Sequence, residues 1–146
     1  MAGQGRLTPS VRGQIRSLGL ERSFRLLGWL DKEVLSQYTA ASDVYITTSV
    51  SDGASASLLE AMAMGLPVIV SSIPGNTEWV SHRENGLIFP KGDAEALSRE
   101  VVELIRDPSE RARLGTMARS TVMEKADWGR SSQIFLEALE AITTRA

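Results

Sequence analysis

The stretch Pro67-Val68-Ile69-Val70-Ser71 constrains the fold more than any other, because its middle is a continuous β-branched apolar run. A strand of alternating polarity can leave one face in water, but this one cannot. Both faces need cover, and helices on both sides of a parallel sheet supply it. Two more β-rich segments flank it: residues 43–48, Asp43-Val44-Tyr45-Ile46-Thr47-Thr48, and residues 87–89, Leu87-Ile88-Phe89. The short apolar run at 23–27, stopping at Gly28, reads as a fourth strand.

Helical patterns lie between and beyond these runs. Thr8-Pro9-Ser10 opens a helix, with Thr8 as its N-cap, and Val11, Ile15 and Leu18 follow at helical spacing until Gly19 closes it. Asp31 can cap a helix over 32–41. Small residues after Ser49 lead into a helix that reaches Met64 and ends at Gly65. Ile73 to Asn76 reads as a turn, with a short helix over 77–81 behind it. Asp93 can cap 94–106. Asp107-Pro108-Ser109-Glu110 combines a cap, a proline at the first helical position and a carboxylate three residues on, so a helix restarts there and runs to about Lys125. A last helix covers 128–143. Strands alternating with helices predict an α/β domain with a mostly parallel sheet of about four strands and an all-helical C-terminal part.

Composition narrows the chemistry. The 146 residues suit one domain, and 42% hydrophobic with 23% charged residues is ordinary for a globular chain. Sixteen basic and 18 acidic side chains give a net charge of −2, which argues against a nucleic-acid backbone as partner. With no cysteine and one histidine, His82, neither a disulfide nor a metal cluster built on thiolates or imidazoles can form. No metal or other cofactor is expected. No apolar run approaches the roughly 20 residues a membrane span needs. MAGQGRLTPS at the start has no apolar h-region, so a cytoplasmic location is expected.

In parallel α/β sheets ligands bind beyond the carboxyl ends of the strands, which directs attention to the loops after Thr48, Ser71 and Gly28. The first is the most informative. Gly53, Ala54, Ser55, Ala56 and Ser57 are small and lead into a helix start, so a ligand can approach the backbone closely. Unpaired N–H groups and a partial positive charge at that helix start suit an anion. Asp52 and Glu60 flank it with seven residues between them. Amides for phosphates and carboxylates for hydroxyls would together fit a diphosphate bearing sugars.

At this point the sequence resembles the C-terminal, nucleotide-sugar-binding half of the GT-B fold, group 1 (family 4) retaining glycosyltransferases. The two acids, Asp52 and Glu60, precede Ala61-Met62-Ala63-Met64-Gly65 and Pro67-Val68-Ile69, as in the family pattern. Gly75-Asn76-Thr77-Glu78 matches its turn followed by Glu, and Asn85-Gly86-Leu87-Ile88-Phe89-Pro90 with Asp93 matches its next strand. Upstream, Leu27-Gly28-Trp29, Tyr38, Ala40 to Val44 and Ser49 fit. Downstream, Asp107-Pro108, Glu110-Arg111, Arg113-Leu114-Gly115, Ala118-Arg119 and Trp128 fit. The resemblance covers essentially the whole chain and implies a Rossmann-like three-layer domain.

The resemblance also implies roles. Glu60 would hold the ribose hydroxyls of a UDP- or GDP-type donor. Asp52 would contact the donor sugar and stabilise a developing oxocarbenium ion, although the family usually has Glu there. Residues Gly53, Ala54, Ser55, Ala56 and Ser57 would meet the sugar and phosphates, and backbone near Gly28 and Trp29 would lie by the base. The family's Phe-Gly is replaced by Ala54-Ser55, which leaves the loop smaller and more polar. No residue here matches the family's basic diphosphate-binding pair.

Plainer readings exist for the same residues. Ser57 and Glu60 fit a capping box. Asp52 before Gly53 fits turn chemistry. Pro74-Gly75-Asn76 fits a turn, Glu78 a local cap, His82 a solvated loop, Met62 and Met64 core filling, and Trp79 and Trp128 packing. Arg12, Arg16, Arg22 and Arg25 read as a solvated face.

Gly3-Gln4-Gly5-Arg6-Leu7 matches the family segment that follows the second strand of the C-terminal domain. The resemblance therefore places residues 1–146 as a single, incomplete domain, without the first two strands or the N-terminal acceptor domain. In the strand order 3-2-1-4-5-6 those two strands are central. Either 23–27 moves beside 43–48, or exposed sheet edges are filled in a homo-oligomer. Two functional hypotheses stay open: the donor-binding half of a glycosyltransferase with little or no activity alone, or a non-catalytic remnant of the same fold.

Overall fold

A computed structural model describes residues 1–53, 55–126 and 128–143. The chain forms two compact units, Met1–Ala41 and Ser42–Ala146.

The first unit holds α1 (Thr8–Ser17) and α2 (Lys32–Ala40). Leu7, not Thr8, is the N-cap of α1; Thr8 is already helical, and its hydroxyl accepts from the Gly5 amide at 3.0 Å. Asp31 caps α2 as expected, its Oδ1 accepting from the Val34 amide at 2.9 Å.

The strand expected at 23–27 does not form. Its first residues are taken up by a turn, with the amides of Ser23 and Phe24 both donating to the Leu20 carbonyl. The backbone of the remainder bonds instead to the first three residues of the chain. The Met1 ammonium donates to Arg25 O at 2.8 Å, Leu27 N to Met1 O at 2.9 Å and Gly3 N to Gly28 O at 2.7 Å. Isolated bridges at Gly28 result, not a ladder. Apolar composition satisfied the strand pattern, but a strand also needs a neighbour of matching length.

The second unit is built on β1 (Tyr45–Thr47), β2 (Val68–Ser71) and β3 (Leu87–Phe89), parallel and in the order β1-β2-β3. The sheet thus has three strands where about four were expected, and 23–27 is not one of them. Ile46 pairs with Ile69, and Val70 with Ile88. Helices α3 (Ala56–Ala63), α4 (Pro74–Thr77), α5 (Ala94–Arg106), α6 (Pro108–Lys125) and α7 (Trp128–Thr143) complete it. Helix α4 corrects the expected helix at 77–81. Pro74 sits at its first position and fixes φ for a helical start, so the turn begins three residues earlier.

All four residues of β2 are buried, as its two apolar faces demand. Successive side chains point to opposite faces. Val68 and Val70 join Leu58, Ala61 and Met62 of α3 and Ala118 and Val122 of α6 in one cluster. Ile69 joins Leu87 and Phe89 of β3, Ala96 and Leu104 of α5 and Leu114 of α6 in the other. The result is the expected three-layer, Rossmann-like α/β arrangement, with helices on both faces of a parallel sheet. Asp93 and Asp107 cap α5 and α6 as expected, through the amides of Ala96 (2.8 Å) and Glu110 (2.9 Å).

Candidate functional site

The loop between β1 and α3 and the segment between β2 and α4 lie side by side at the carboxyl end of the sheet. Ser55 is the N-cap of α3, extended at φ −74° and ψ 108°, and its side chain makes no capping bond. Ser57 is therefore the second residue of the helix and Glu60 its fifth. A capping box needs the hydroxyl at the N-cap, so Ser57 and Glu60 do not form one. The amides of Ala56 and Ser57 have no acceptor among the described residues. They are the unpaired donors that every helix N-terminus leaves, carrying the partial positive charge of the helix dipole.

Asp52, Gly53, Ala56, Ser57 and Glu60 are exposed and Ser55 is half-buried, while Ala54 lies outside the described residues. Neither the Asp52 nor the Glu60 carboxylate has a hydrogen-bond or ion-pair partner among the described residues. Two unengaged carboxylates thus flank an unengaged helix start. Hydroxyls thicken the site: Tyr45 Oη lies 2.8 Å from Ser57 Oγ, which lies 3.2 Å from Ser55 Oγ. Tyr45 was read only as a strand residue. Its phenol reaches Ser57, 12 residues on, because α3 packs back against β1.

The other wall is the β2–α4 segment. A Cβ at Gly75 would overlap the Gly53 carbonyl oxygen and fall 2.6 Å from the Asp52 carbonyl oxygen, so only glycine allows this contact. Next to it, Asn76 is fully buried and its Nδ2 donates to Ser71 O at 2.9 Å and Ser71 Oγ at 3.2 Å. Ser71 Oγ donates in turn to Ser49 O at 2.6 Å. The sequence marked Pro74-Gly75-Asn76 as a turn; Asn76 is a buried polar anchor, which only the packing of two loops could reveal.

Gly28 and Trp29, the residues expected near a base, belong to the first unit. Gly28 carries the isolated bridges, and Trp29 is 83% exposed. Other expectations resolve more simply. Glu78 is exposed and ends α4. His82 is exposed, but its Nδ1 also accepts from the Ile88 amide at 2.9 Å and so steadies β3. Met62 is core, whereas Met64, at the helix end, is 39% exposed. Trp79 packs against the first cluster, and the side chain of Trp128 lies outside what is described. Among the described residues no group of three or more acidic or histidine side chains could hold a metal, and no helix is long and apolar enough to cross a membrane.

The family model described as "Glycosyl transferases group 1" matches residues 1–121. The amylovoran biosynthesis glycosyltransferase AmsK of Erwinia amylovora is 29% identical over 126 residues, 82% of this chain and 31% of AmsK. The crystal structure of HepE from Anabaena in complex with UDP superposes with a TM-score of 0.89 at 25% identity, covering 96% of this chain and 40% of HepE. The UDP-glucose complex of HepE superposes with a TM-score of 0.88 at 26% identity, with the same coverage. The chain spans about a third of the length of the curated relatives it matches, 31% and 33% for the first two.

Proposed function

Because the chain belongs to the group 1 glycosyl transferases, we propose that it is the donor-binding part of an enzyme that moves a sugar from a nucleoside-diphosphate sugar to an acceptor. The observation that carries this reading is the pairing of two unengaged carboxylates, Asp52 and Glu60, with the open N-terminus of α3. UDP and UDP-glucose in the HepE structures, which share this fold, support it.

Each group has a task that its chemistry suits. The amides of Ala56 and Ser57, with the small residues Gly53 and Ser55 leaving the backbone accessible, receive the diphosphate oxygens. Glu60 accepts from the ribose hydroxyls. Asp52 accepts from a hydroxyl of the sugar. When the bond from the anomeric carbon to the leaving phosphate oxygen breaks, positive charge develops on the sugar ring. The Asp52 carboxylate stabilises that charge while the helix dipole stabilises the departing diphosphate. The acceptor would be held by an N-terminal domain, so donor binding without turnover is expected of these 146 residues alone.

Calorimetric titration with UDP, GDP and UDP-glucose tests the proposal. Saturable binding of one nucleotide, tighter for its sugar form, supports it. No heat up to millimolar ligand sinks it and leaves the non-catalytic remnant as the better reading.

A further inference from the structure

Two fixed points hold the loop that carries Asp52, and both belong to the segment after β2. At one end the Ser71 hydroxyl donates to Ser49 O at 2.6 Å. At the other, the Gly75 backbone lies against the carbonyls of Asp52 and Gly53, with no room for a side chain. Asn76 joins the two points. It follows Gly75 directly, and its Nδ2 donates to both oxygens of Ser71, at 2.9 and 3.2 Å.

Ser71 Oγ accepts from Asn76 and donates to Ser49, so its proton has one orientation. Ser71 is 1% exposed and Asn76 0%, so water cannot take over the bonds between them. The Asn76 Oδ1 is buried with no hydrogen-bond partner among the described residues. The NH2 end alone accounts for the side chain's hydrogen bonds, and it is directed at the clamp.

We propose that Asn76 is a positioning residue of the donor site: through Ser71, and with Gly75, it sets the 49–53 loop and so the Asp52 carboxylate. The role given to Asp52 rests on the donor reading above; the clamp itself does not.

The test uses the full chain with Ser71→Ala, which removes the hydroxyl and its bonds to Ser49 and Asn76, and Asn76→Asp, which removes the Nδ2 donor and both its bonds to Ser71, each at nearly constant volume. NMR backbone order parameters are measured without ligand. Wild type should be rigid over residues 50–53, near 0.85, and the variants should fall below about 0.6 there while α5 and α6 hold their values. An unchanged loop in both variants overturns the proposal, as does a drop spread evenly over the whole unit. A second arm compares UDP with UDP-glucose by calorimetry. The variants should lose about fivefold or more of the UDP-glucose affinity with UDP within about twofold of wild type. Equal losses for both ligands overturn the link to Asp52. If wild type binds neither ligand, the donor reading falls, and the order parameters still decide the clamp.

Discussion

Gly115 in α6 lies against the carbonyl of Gly65, so close that a Cβ at Gly115 would overlap that oxygen and sit 3.4 Å from the Pro67 nitrogen. The contact seats α6 on the turn between α3 and β2. It sets two effects against each other. By helix propensity alone, Gly115→Ala should stabilise an interior helical position by about 1 kcal/mol. Packing opposes this, because the obstructing atoms are backbone and cannot swing away. We expect packing to win, with Gly115→Ala destabilising by about 1–3 kcal/mol. Urea unfolding would show a lower midpoint at unchanged slope. A more stable variant would mean that α6 does not approach Gly65 this closely.

Asn85 should be as sensitive. It is buried, its Oδ1 accepts from Ser81 N at 2.7 Å, and its Nδ2 donates to Trp79 O at 2.9 Å and Thr121 Oγ1 at 3.0 Å. One side chain thus ties the 79–81 turn to α6. Asn85→Ala leaves the Ser81 amide and the Trp79 carbonyl without these partners, at a cost of about 1–3 kcal/mol. Thr121→Ala removes only one of the links and should cost less. In a double-mutant cycle the two changes should be non-additive, because they share a bond.

These residues show where the sequence was legible. Caps at Asp31, Asp93 and Asp107 were readable because each depends on an amide three residues ahead. Strand β2 was readable because a run apolar on both faces has one kind of home. The 23–27 run misled because its strand status depended on a partner that local sequence cannot supply. The reason for a glycine at 115 was not legible locally, since Gly65, the residue it packs against, is 50 residues away in sequence. Asp52, Glu60 and the start of α3 were found as a motif. Asn76 also fell in the motif, but its bonds to Ser71, like that of Tyr45 to Ser57, were not legible, because these partners meet only once the strands and loops have packed.

The start of α6 gives a pH dependence with a defined sign. The Asp107 carboxyl is held below its ordinary value chiefly by the hydrogen bond from the Glu110 amide, and then by that from the Ser109 hydroxyl. Glu110 is held below its ordinary value chiefly by its hydrogen bonds with Arg113. Both folded-state values lie below the unfolded ones, so the unfolded chain binds more protons as pH falls. Their contribution is therefore fully present above the ordinary carboxylate range and is lost as pH falls through the lowered folded-state values. Urea midpoints measured from neutral to acid pH should show Asp107→Ala less stable than wild type at neutrality, with the gap narrowing in acid. A gap independent of pH would remove Asp107 as an ionised cap.

At Glu60 binding and stability can be separated. Its carboxylate is exposed and has no partner among the described residues, so the fold gains nothing from its charge. At an interior helical position alanine is also an excellent helix former. Glu60→Ala should therefore leave the thermal midpoint unchanged or slightly higher. If Glu60 accepts from ribose hydroxyls, loss of charge-assisted hydrogen bonds worth about 1.5–3 kcal/mol should weaken UDP binding by about 10- to 100-fold. Asp52→Asn should behave differently, sparing UDP and weakening UDP-glucose, because Asp52 is assigned to the sugar. Calorimetry with both ligands on both variants reads this crossed pattern directly. A Glu60→Ala chain that binds UDP like wild type would strip Glu60 of the ribose role while leaving Asp52 to be judged on UDP-glucose alone.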